Sequence, residues 1–300
     1  MSKRKMSFRQ RRAWTGRLFI LPWFIGILLF FAVPLVKSIW YSFQDMNFGD
    51  GGHLVMDFIG FDNFVYAFTK DPDFVTVLTR TVGDILYQVP VIILFSLFVA
   101  IILNQEFHGR VLARAVFFLP VIVTSGVIIS ILNQDSYSNM ISQGNASSAF
   151  MFQSSGLQQM MLDSKVPETI VNYMTNIINN IFNLTWKSGV QILLFLAGLK
   201  TISPQLYEAA KVEGATGWES FWKITFPMIS PMILANTIYT IIDSFTDYSN
   251  YIIQMINNAA FQQLRYGYSS AIAWIYFLVV LVILGIVSLL IGRKVFYQSN

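Results

Sequence analysis

Five apolar runs in this sequence are long enough to cross a lipid bilayer as α-helices. A hydrocarbon core of about 30 Å requires roughly 20 helical residues. The runs that approach or exceed this length are residues 18–41, 85–103, 115–132, 230–256 and 272–292. Only 12% of the residues are charged, whereas a soluble domain carries about 25%. We therefore expect an all-α membrane protein.

A sixth run, residues 177–199, is weaker because its outer half is rich in asparagine. Counting it gives six transmembrane helices and places 14 of the 20 lysines and arginines on one side of the membrane. Since cytoplasmic segments carry an excess of basic residues, we predict that both termini are cytoplasmic. Residues 1–17 then form a basic cytoplasmic tail, and residues 18–300 form the transmembrane domain. The first run is too long for a signal peptide, so we interpret it as an uncleaved anchor.

Composition excludes several kinds of site. The sequence contains no cysteine, so disulfides and thiolate metal sites cannot form. Its two histidines, His53 and His108, are too few for a histidine-rich metal site, and we expect no metal. The net charge of +4 could suggest nucleic acid. The basic residues lie at the ends of the apolar runs, however, so we expect no nucleic acid partner.

Two of the predicted outer loops are long. Residues 42–83 are acidic, whereas residues 134–175, the outer insert, are rich in Ser, Gln, Asn and Met with almost no charge. Each is either a solvated connector or a docking surface for an external partner. The sequence leaves both interpretations open.

The predicted inner loop, residues 200–229, contains the signals of a short helix. Ser203 is a favourable N-cap, and Pro204 suits the first helical position. Strong helix formers follow, and Gly214 can end the helix in the left-handed conformation. We therefore predict a helix of about ten residues, about 15 Å long, on the cytoplasmic side.

Three aromatic residues follow this helix at helical spacing. Trp218, Phe221 and Trp222 occupy positions i, i+3 and i+4, so they share one face of a helix. An apolar face of this kind suits the membrane interface. On these grounds alone, the loop is either an ordinary capped linker or a lever between the two spans that it joins.

The same loop resembles the EAA loop of binding-protein-dependent ABC importer permeases. The matching residues are Glu208, Ala209, Ala210, Gly214, Ala215, Phe221, Ile224, Pro227 and Pro231. Glu213 and Phe226 replace the family's common aspartate and leucine, and both departures are conservative. The resemblance covers about residues 17–300, and it is closest to the carbohydrate-uptake subfamily of the maltose and glycerol-phosphate type.

The resemblance implies that Glu208, Ala209, Ala210, Gly214 and Ala215 couple this chain to a separate cytoplasmic ATPase. It implies an importer in the bacterial cell membrane that receives a sugar or oligosaccharide from an extracellular binding protein. The implied partners are a second, homologous permease subunit in a heterodimer, an ATPase dimer and membrane lipid. The sequence has no G-x-x-x-x-G-K-[ST] loop, the motif that cradles ATP. We therefore predict a transport subunit that is not an enzyme, with ATP and magnesium bound by the ATPase.

Polar residues recur along one face of each of the fourth and fifth predicted spans. They are Asn176, Asn180, Asn183, Lys187 and Gln191 on the fourth, and Asn236, Thr240, Asp243, Asp247, Asn250 and Gln254 on the fifth. Polar side chains inside spans usually face a bundle interior or a water-filled cavity. We therefore predict a substrate path lined by Asn183, Lys187, Gln191, Tyr239, Asp243, Asp247, Asn250 and Gln254. A different interpretation is that the amides bond neighbouring spans to each other.

Lys187 and Asp243 fall at nearly the same depth, about 20 Å along two antiparallel helices, and we hypothesise an ion pair between them. If Asp243, Asp247 and Lys187 instead relay ions, the chain is an ion- or proton-coupled carrier. The polar residues are also compatible with a permease for another neutral polar solute, with a membrane enzyme that uses the carboxylates as acid and base, and with a scaffold without transport. The resemblance of the inner loop favours the importer.

Overall fold

Helices make up most of the chain in the computed structural model, which describes residues 8–48, 54–124, 167–247, 250–293 and 295. The helices and strands, in chain order, are α1 (Phe8–Ile27), α2 (Val33–Ser42), β1 (Gln44–Phe48), β2 (Leu54–Phe58), α3 (Asp62–Thr69), α4 (Phe74–Asn104), α5 (Arg110–Thr124), α6 (Glu168–Lys187), α7 (Gly189–Thr201), α8 (Pro204–Val212), α9 (Gly217–Ser220), α10 (Phe226–Thr246), α11 (Tyr251–Asn257) and α12 (Tyr266–Gly292). Within these residues, π-helical turns at Leu28–Ala32, Phe221–Thr225 and Asn258–Gln262 continue α1, α9 and α11.

Four helical stretches of the described chain are long and apolar enough to cross a membrane. They are Trp14–Ser42, Phe74–Asn104, Gly217–Thr246 and Tyr266–Gly292. A fifth is present if α7 and α8, which are bent by 63° relative to each other, are counted as one span. A helix satisfies its own backbone hydrogen bonds, which is the condition for lying in a bilayer.

The structure describes only part of the third predicted span, and it divides the fourth into two helices. α5 covers the first half of the predicted span 115–132, and the second half lies outside the described residues. The predicted span 177–199 is not one helix, because α6 and α7 are separated at Ser188. α6 begins inside the predicted outer insert, residues 134–175, whose residues before 167 also lie outside the described part of the chain.

A β-hairpin interrupts the helices of the first compact unit, which comprises Met1–Leu78 and Ile252–Val279. β1 and β2 pair antiparallel in the segment predicted as a long outer loop. Asn63 of α3 donates its side-chain amide to the backbone oxygens of Ser42, at 3.0 Å, and Gln44, at 2.9 Å. The prediction of an all-α chain is wrong at this hairpin, because strands of five residues carry too little periodicity to be recognised.

A cluster around Arg265 joins the first turns of α4 and α12 within the same unit. The guanidinium carbon lies 4.6 Å from the ring centre of Tyr66 and 4.7 Å from that of Tyr268. The Tyr268 hydroxyl donates to one carboxylate oxygen of Asp71. The other oxygen accepts the backbone N–H of Phe74, at 3.1 Å, and so caps α4. Because Arg265 stacks on two rings, its charge is held beside the capping carboxylate.

The second compact unit, Thr79–Tyr251 with Val280–Asn300, is built around α7. α7 contacts both α5 and α10. Its buried apolar residues are Ile192, Phe195, Leu196 and Leu199, and those of α10 are Ile229, Ile241 and Phe245. α7 and α10 run antiparallel, since Gln191 contacts Thr240 near one end and Gly198 lies beside Ile229 and Met232 near the other.

Gly267 is a position where the first unit tolerates no side chain. A Cβ atom there would overlap the backbone oxygen of Gln44. We expect Gly267→Ala to lower the free energy of unfolding by about 1–3 kcal/mol, the usual cost of overpacking. The measurement is thermal unfolding of the purified chain in detergent.

Gly285 provides the matched control, because it lies in the same helix and a Cβ there would meet nothing within 4 Å. Gly285→Ala should leave stability unchanged or raise it by up to about 1 kcal/mol through helix propensity. Equal unfolding temperatures for the two variants would contradict the close approach at Gly267.

Candidate functional site

The inner loop predicted at residues 200–229 contains α8, a helix of nine residues. Ser203 occupies the N-cap position with extended backbone angles, φ −63° and ψ 129°, and Pro204 is the first helical residue, as predicted. The Ser203 side chain makes no capping hydrogen bond. The start of α8 is therefore set by the backbone conformation that proline requires of the residue before it.

Gly214 ends α8 in the left-handed conformation, with φ +80°. The N–H of Ala215 bonds to the oxygen of Ala210 at 2.9 Å, and the N–H of Gly214 bonds to that of Lys211 at 3.2 Å. These two bonds form a Schellman motif, which satisfies carbonyls at the end of a helix. The predicted helix and its glycine terminator are confirmed.

α8 has no buried residue within this chain. Glu208, Ala209 and Gly214 are exposed, and Ala210 and Ala215 are partly exposed. Val212, although apolar, is 89% exposed. The residues predicted to couple to an ATPase therefore lie together on an accessible helix and its terminating turn.

A hydrogen bond ties α8 to the helical stretch that leads into α10. The hydroxyls of Tyr207 and Thr225 lie 2.9 Å apart. Thr225 is buried, and it belongs to the π-helical turn immediately before α10. α8 is therefore held both by its covalent link to α7 and by this contact with the beginning of α10.

A buried polar cluster crosses between α7 and α10. The side-chain amide of Gln191 donates to the Thr240 hydroxyl at 3.2 Å, and the side-chain amide of Asn236 donates to the backbone oxygen of Gln191 at 3.3 Å. All three residues are at most 1% exposed. The side-chain oxygens of Gln191 and Asn236 are buried without a hydrogen-bond partner among the described residues. In this part of the polar stripe, the amides therefore bond helix to helix.

Lys187 forms an ion pair, but with a different carboxylate from the one predicted. Its Nζ atom lies 2.7 Å from Oδ2 of Asp247. The hypothesis of a pair with Asp243 requires both spans to be continuous helices. Instead, α6 ends at Lys187, and α10 ends at Thr246 with Asp247 in an extended conformation. Because of these breaks, the end of α6 and the end of α10 lie side by side, and so do the charges of Lys187 and Asp247.

The remaining predicted path residues separate into exposed and buried positions. Asn183, Tyr239, Asp243 and Gln254 are exposed, and Asn250 is buried. The Asn250 side-chain amide donates to the backbone oxygen of Ser244 at 3.3 Å, so it satisfies a carbonyl at the end of α10. The side chain of Asn176 lies outside the described residues. Among the described residues, no group of three His, Asp or Glu side chains could hold a metal ion.

No local pattern in the sequence marks the Arg265 cluster or the bond between Tyr207 and Thr225. Asp71 and Tyr268 are separated by 197 residues, and nothing near either residue identifies the other as its partner. Ser188 gives only a weak indication in the sequence that α6 and α7 are separate helices. Its hydroxyl donates to the backbone oxygens of Leu184 and Thr185, at 2.5 and 3.2 Å, and such local bonding competes with the regular helix.

Known proteins resemble this chain over most of its length. The family described as the binding-protein-dependent transport system inner membrane component matches residues 66–298. The chain belongs to this family. It is therefore a multi-pass bacterial membrane protein and a transport component, not an enzyme.

Three relatives of this chain are named as permease proteins. The probable ABC transporter permease protein YesP of Bacillus subtilis is 31% identical, over 95% of this chain and 93% of that protein. The multiple sugar-binding transport system permease protein MsmF of Streptococcus mutans is 27% identical, over 92% and 93% of the two chains. The arabinooligosaccharides transport system permease protein AraP of Bacillus subtilis is also 27% identical, over 89% and 85%.

Solved structures share the fold. A chain of a bacterial ABC transporter involved in the import of the acidic polysaccharide alginate superposes with a TM-score of 0.65 at 21% identity, covering 94% of this chain and 96% of that one. A chain from the same kind of transporter, in complex with an alginate pentasaccharide-bound periplasmic protein, gives a TM-score of 0.59. The family membership and the fold therefore agree.

Removing the Thr240 hydroxyl tests the polar cluster. Thr240→Val keeps the shape of the side chain but leaves the Gln191 amide without its acceptor, so we expect a loss of about 0.6–2 kcal/mol, the range for hydrogen bonds between membrane helices. The measurement is the free energy of unfolding in detergent and denaturant.

Thr246→Val is the control, because this hydroxyl bonds only to carbonyls of its own helix, at an exposed position. Its effect should stay within about 0.5 kcal/mol. A loss as large as that of Thr240→Val would argue against a special role for the cross-helix bond.

Proposed function

We propose that this chain is one of two permease subunits of an ATP-driven importer and that its cargo is a sugar or oligosaccharide. The observation that carries the proposal is α8: an exposed helix with Glu208-Ala209-Ala210 on it, in a chain of the binding-protein-dependent family. The cargo is supported by relatives named for multiple sugars, arabinooligosaccharides, lactose and trehalose/maltose. The two alginate transporter structures share the fold.

α8 is the element through which ATP hydrolysis moves this chain. In the proposed complex it lies on the cytoplasmic side, where it contacts an ATPase dimer that binds ATP and magnesium. α8 is linked to α7 by the backbone and to the beginning of α10 by the Tyr207–Thr225 hydrogen bond. A displacement of α8 is therefore transmitted to both helices. The buried cluster of Gln191, Asn236 and Thr240 then keeps those helices in register.

The substrate path follows the exposed polar residues at the far end of the α7–α10 pair. Asn183, Tyr239 and Asp243 are accessible there, and the side chains of the Lys187–Asp247 pair are about one-third exposed. Amides, carboxylates and aromatic rings are groups that hydrogen-bond and stack on sugar rings. Gln191 and Asn250 are both buried and position this region. Gln191 hydrogen-bonds α7 to α10, and Asn250 hydrogen-bonds to the backbone at the end of α10. Gln254, on α11 in the first unit, is also exposed, and its place in the path stays a prediction.

An extracellular binding protein docks on the first unit in this proposal. The surface beside the hairpin carries charges of both signs around one cleft, formed by Asp45, Asp62, Lys70 and Arg265. Mixed charges give specificity in docking more than they give affinity. The ordered hairpin and α3 support a docking surface over a solvated connector at residues 42–83.

A second, homologous permease completes the membrane part as a heterodimer. In the first candidate span, Trp14–Ser42, no residue of the most apolar stretch is buried by the rest of this chain. In Tyr266–Gly292, only 11% of the corresponding stretch is buried. Lipid and another subunit must cover these faces. A single chain with this few spans supplies only half of the pore that the family uses.

The cargo is tested by purifying the assembled importer in lipid and measuring ATP hydrolysis with the binding protein and individual sugars. We expect one sugar or oligosaccharide class to stimulate hydrolysis and to be accumulated. Uptake that persists in an ATPase-dead complex and stops when the proton gradient is collapsed would instead identify a carrier that uses Asp243, Asp247 and Lys187.

Glu208→Gln tests the coupling helix. In the proposed complex, the Glu208 carboxylate pairs with a basic residue of the ATPase. A hydrogen bond to a charged group contributes about 1.5–3 kcal/mol, so losing this bond should weaken the contact between the permease and the ATPase by about tenfold or more. Solute uptake should fall, and the binding protein should no longer stimulate ATP hydrolysis. Glu106→Gln is the control, because Glu106 is an exposed glutamate between α4 and α5, outside the segment that resembles the EAA loop. Equal losses in both variants would show that charge in general matters, and not Glu208.

A double-mutant cycle tests the ion pair. Lys187→Met and Asp247→Asn should show a coupling energy of about 1 kcal/mol in thermal unfolding, as expected for a partly exposed pair. Combining the two should restore part of the uptake that Lys187→Met loses. Lys187→Met with Asp243→Asn is the control and should show weaker coupling, because the direct ion pair is between Lys187 and Asp247. If that control pair couples more strongly instead, Lys187 pairs with Asp243 in the working transporter.

A further inference from the structure

Four aromatic side chains form a continuous exposed surface after α8. This aromatic surface consists of Trp218, Phe221, Trp222 and Phe226. The ring centre of Trp222 lies 5.6 Å from that of Trp218, 5.0 Å from that of Phe221 and 5.1 Å from that of Phe226. Even so, Trp218 is 70% exposed, Trp222 47% and Phe226 38%. The rings contact one another but are not covered by the rest of the described chain.

Local structure holds these rings on one side. A capping box starts the helix: the Thr216 hydroxyl accepts the N–H of Glu219 at 3.3 Å, and the Glu219 carboxylate accepts the N–H of Thr216 at 2.9 Å. The π-helical turn Phe221–Thr225 then adds a residue to the turn before α10. Such turns often occur at functional positions, and here the turn keeps Phe226 in contact with both Phe221 and Trp222.

A charged pair lies beside the rings on the same segment. Nζ of Lys223 and Oε1 of Glu219, one turn apart, are 3.7 Å from each other, and both side chains are exposed. The segment is therefore amphipathic, with large rings on one face and solvated charges on the neighbouring face. A helix of this pattern lies at the boundary between lipid headgroups and acyl chains.

The length of the helix places the aromatic surface at that boundary. Gly217–Thr246 contains 30 residues, which correspond to about 45 Å of helix. The hydrocarbon core is about 30 Å thick, and about 40–45 Å with both headgroup layers. When Thr246 lies at the opposite edge of the hydrocarbon, Phe226 lies at the near edge, about 30 Å away. Trp222 then lies about 6 Å further out, in the headgroup layer, where tryptophan is enriched.

We propose that the aromatic surface inserts into the headgroup–acyl boundary of the bilayer and sets the depth of α8 relative to the membrane. The occupant of this surface is lipid, because the surface continues directly into an apolar span. Insertion of the aromatic surface requires neither the cargo nor the ATPase.

The absence of cysteine from the sequence allows a direct test. Trp218→Cys and Trp222→Cys are compared with Ser220→Cys and Lys223→Cys, each single variant carrying a nitroxide label. The full chain is reconstituted in vesicles of phosphatidylethanolamine and phosphatidylglycerol. Collision rates of the label with oxygen, which partitions into lipid, and with a water-soluble nickel complex are then measured.

We expect the oxygen-to-nickel ratio to be several-fold higher at positions 218 and 222 than at 220 and 223. Similar ratios at all four positions would overturn the proposal, since the surface would then lie in water. Low collision rates with both reagents at 218 and 222, arising only after the ATPase is added, would also overturn it and identify a protein contact.

A second measurement leaves the aromatic surface unlabelled, in case a cysteine variant does not fold. Fluorescence of the unaltered chain in brominated lipid is compared with that of the Trp218→Phe/Trp222→Phe variant. The contribution of the two tryptophans, obtained by difference, should be quenched most strongly by bromine near the headgroups. A difference signal that brominated lipid does not quench contradicts insertion.

Discussion

The antiparallel pairing of α7 with α10 is the constraint on which the rest of this unit depends. Gln191, Asn236 and Thr240 fix the register of the two helices with bonds that neither helix could make alone. One end of the pair is joined by α8, and the other by the Lys187–Asp247 ion pair. In the proposed importer, a displacement at α8 would act on two helices that these hydrogen bonds hold together. The side-chain oxygens of Gln191 and Asn236 are buried without partners among the described residues. The cluster is therefore specific, but it costs free energy of folding because these oxygens lose their hydration.

Both helices of the pair are interrupted at the same end, and local side chains make the interruptions possible. Ser188 bonds to the carbonyls of the preceding turn, and Asn250 bonds to the oxygen of Ser244. Each bond satisfies a backbone group that the broken helix would otherwise leave free. The breaks release Lys187 and Asp247 from regular helical geometry, so their charges meet where ideal helices would have kept them apart.

Local patterns predicted the parts of the fold that depend on neighbours in the chain. The predicted spans 85–103 and 272–292 lie within the helices Phe74–Asn104 and Tyr266–Gly292, because a bilayer demands length and hydrophobicity. Ser203, Pro204 and Gly214 marked both ends of α8, because each favours a backbone conformation found at helix ends. The ion pair could not be predicted in the same way. The partner of Lys187 depends on two helix breaks. Counting residues along ideal, continuous helices assigned Lys187 to Asp243, whereas the structure pairs it with Asp247.

The sequence by itself determined that this chain is a membrane protein, where α8 begins and ends, and which family its inner loop resembles. These follow from composition, from residue-level backbone preferences and from spacing along one segment. Only the tertiary structure decided that Gln191 and Thr240 bond across helices, that Lys187 pairs with Asp247, and that Arg265 lies between Tyr66 and Tyr268. The physical reason is that such contacts join residues far apart in the chain. Their geometry depends on the crossing and breaking of whole helices, which no local pattern records.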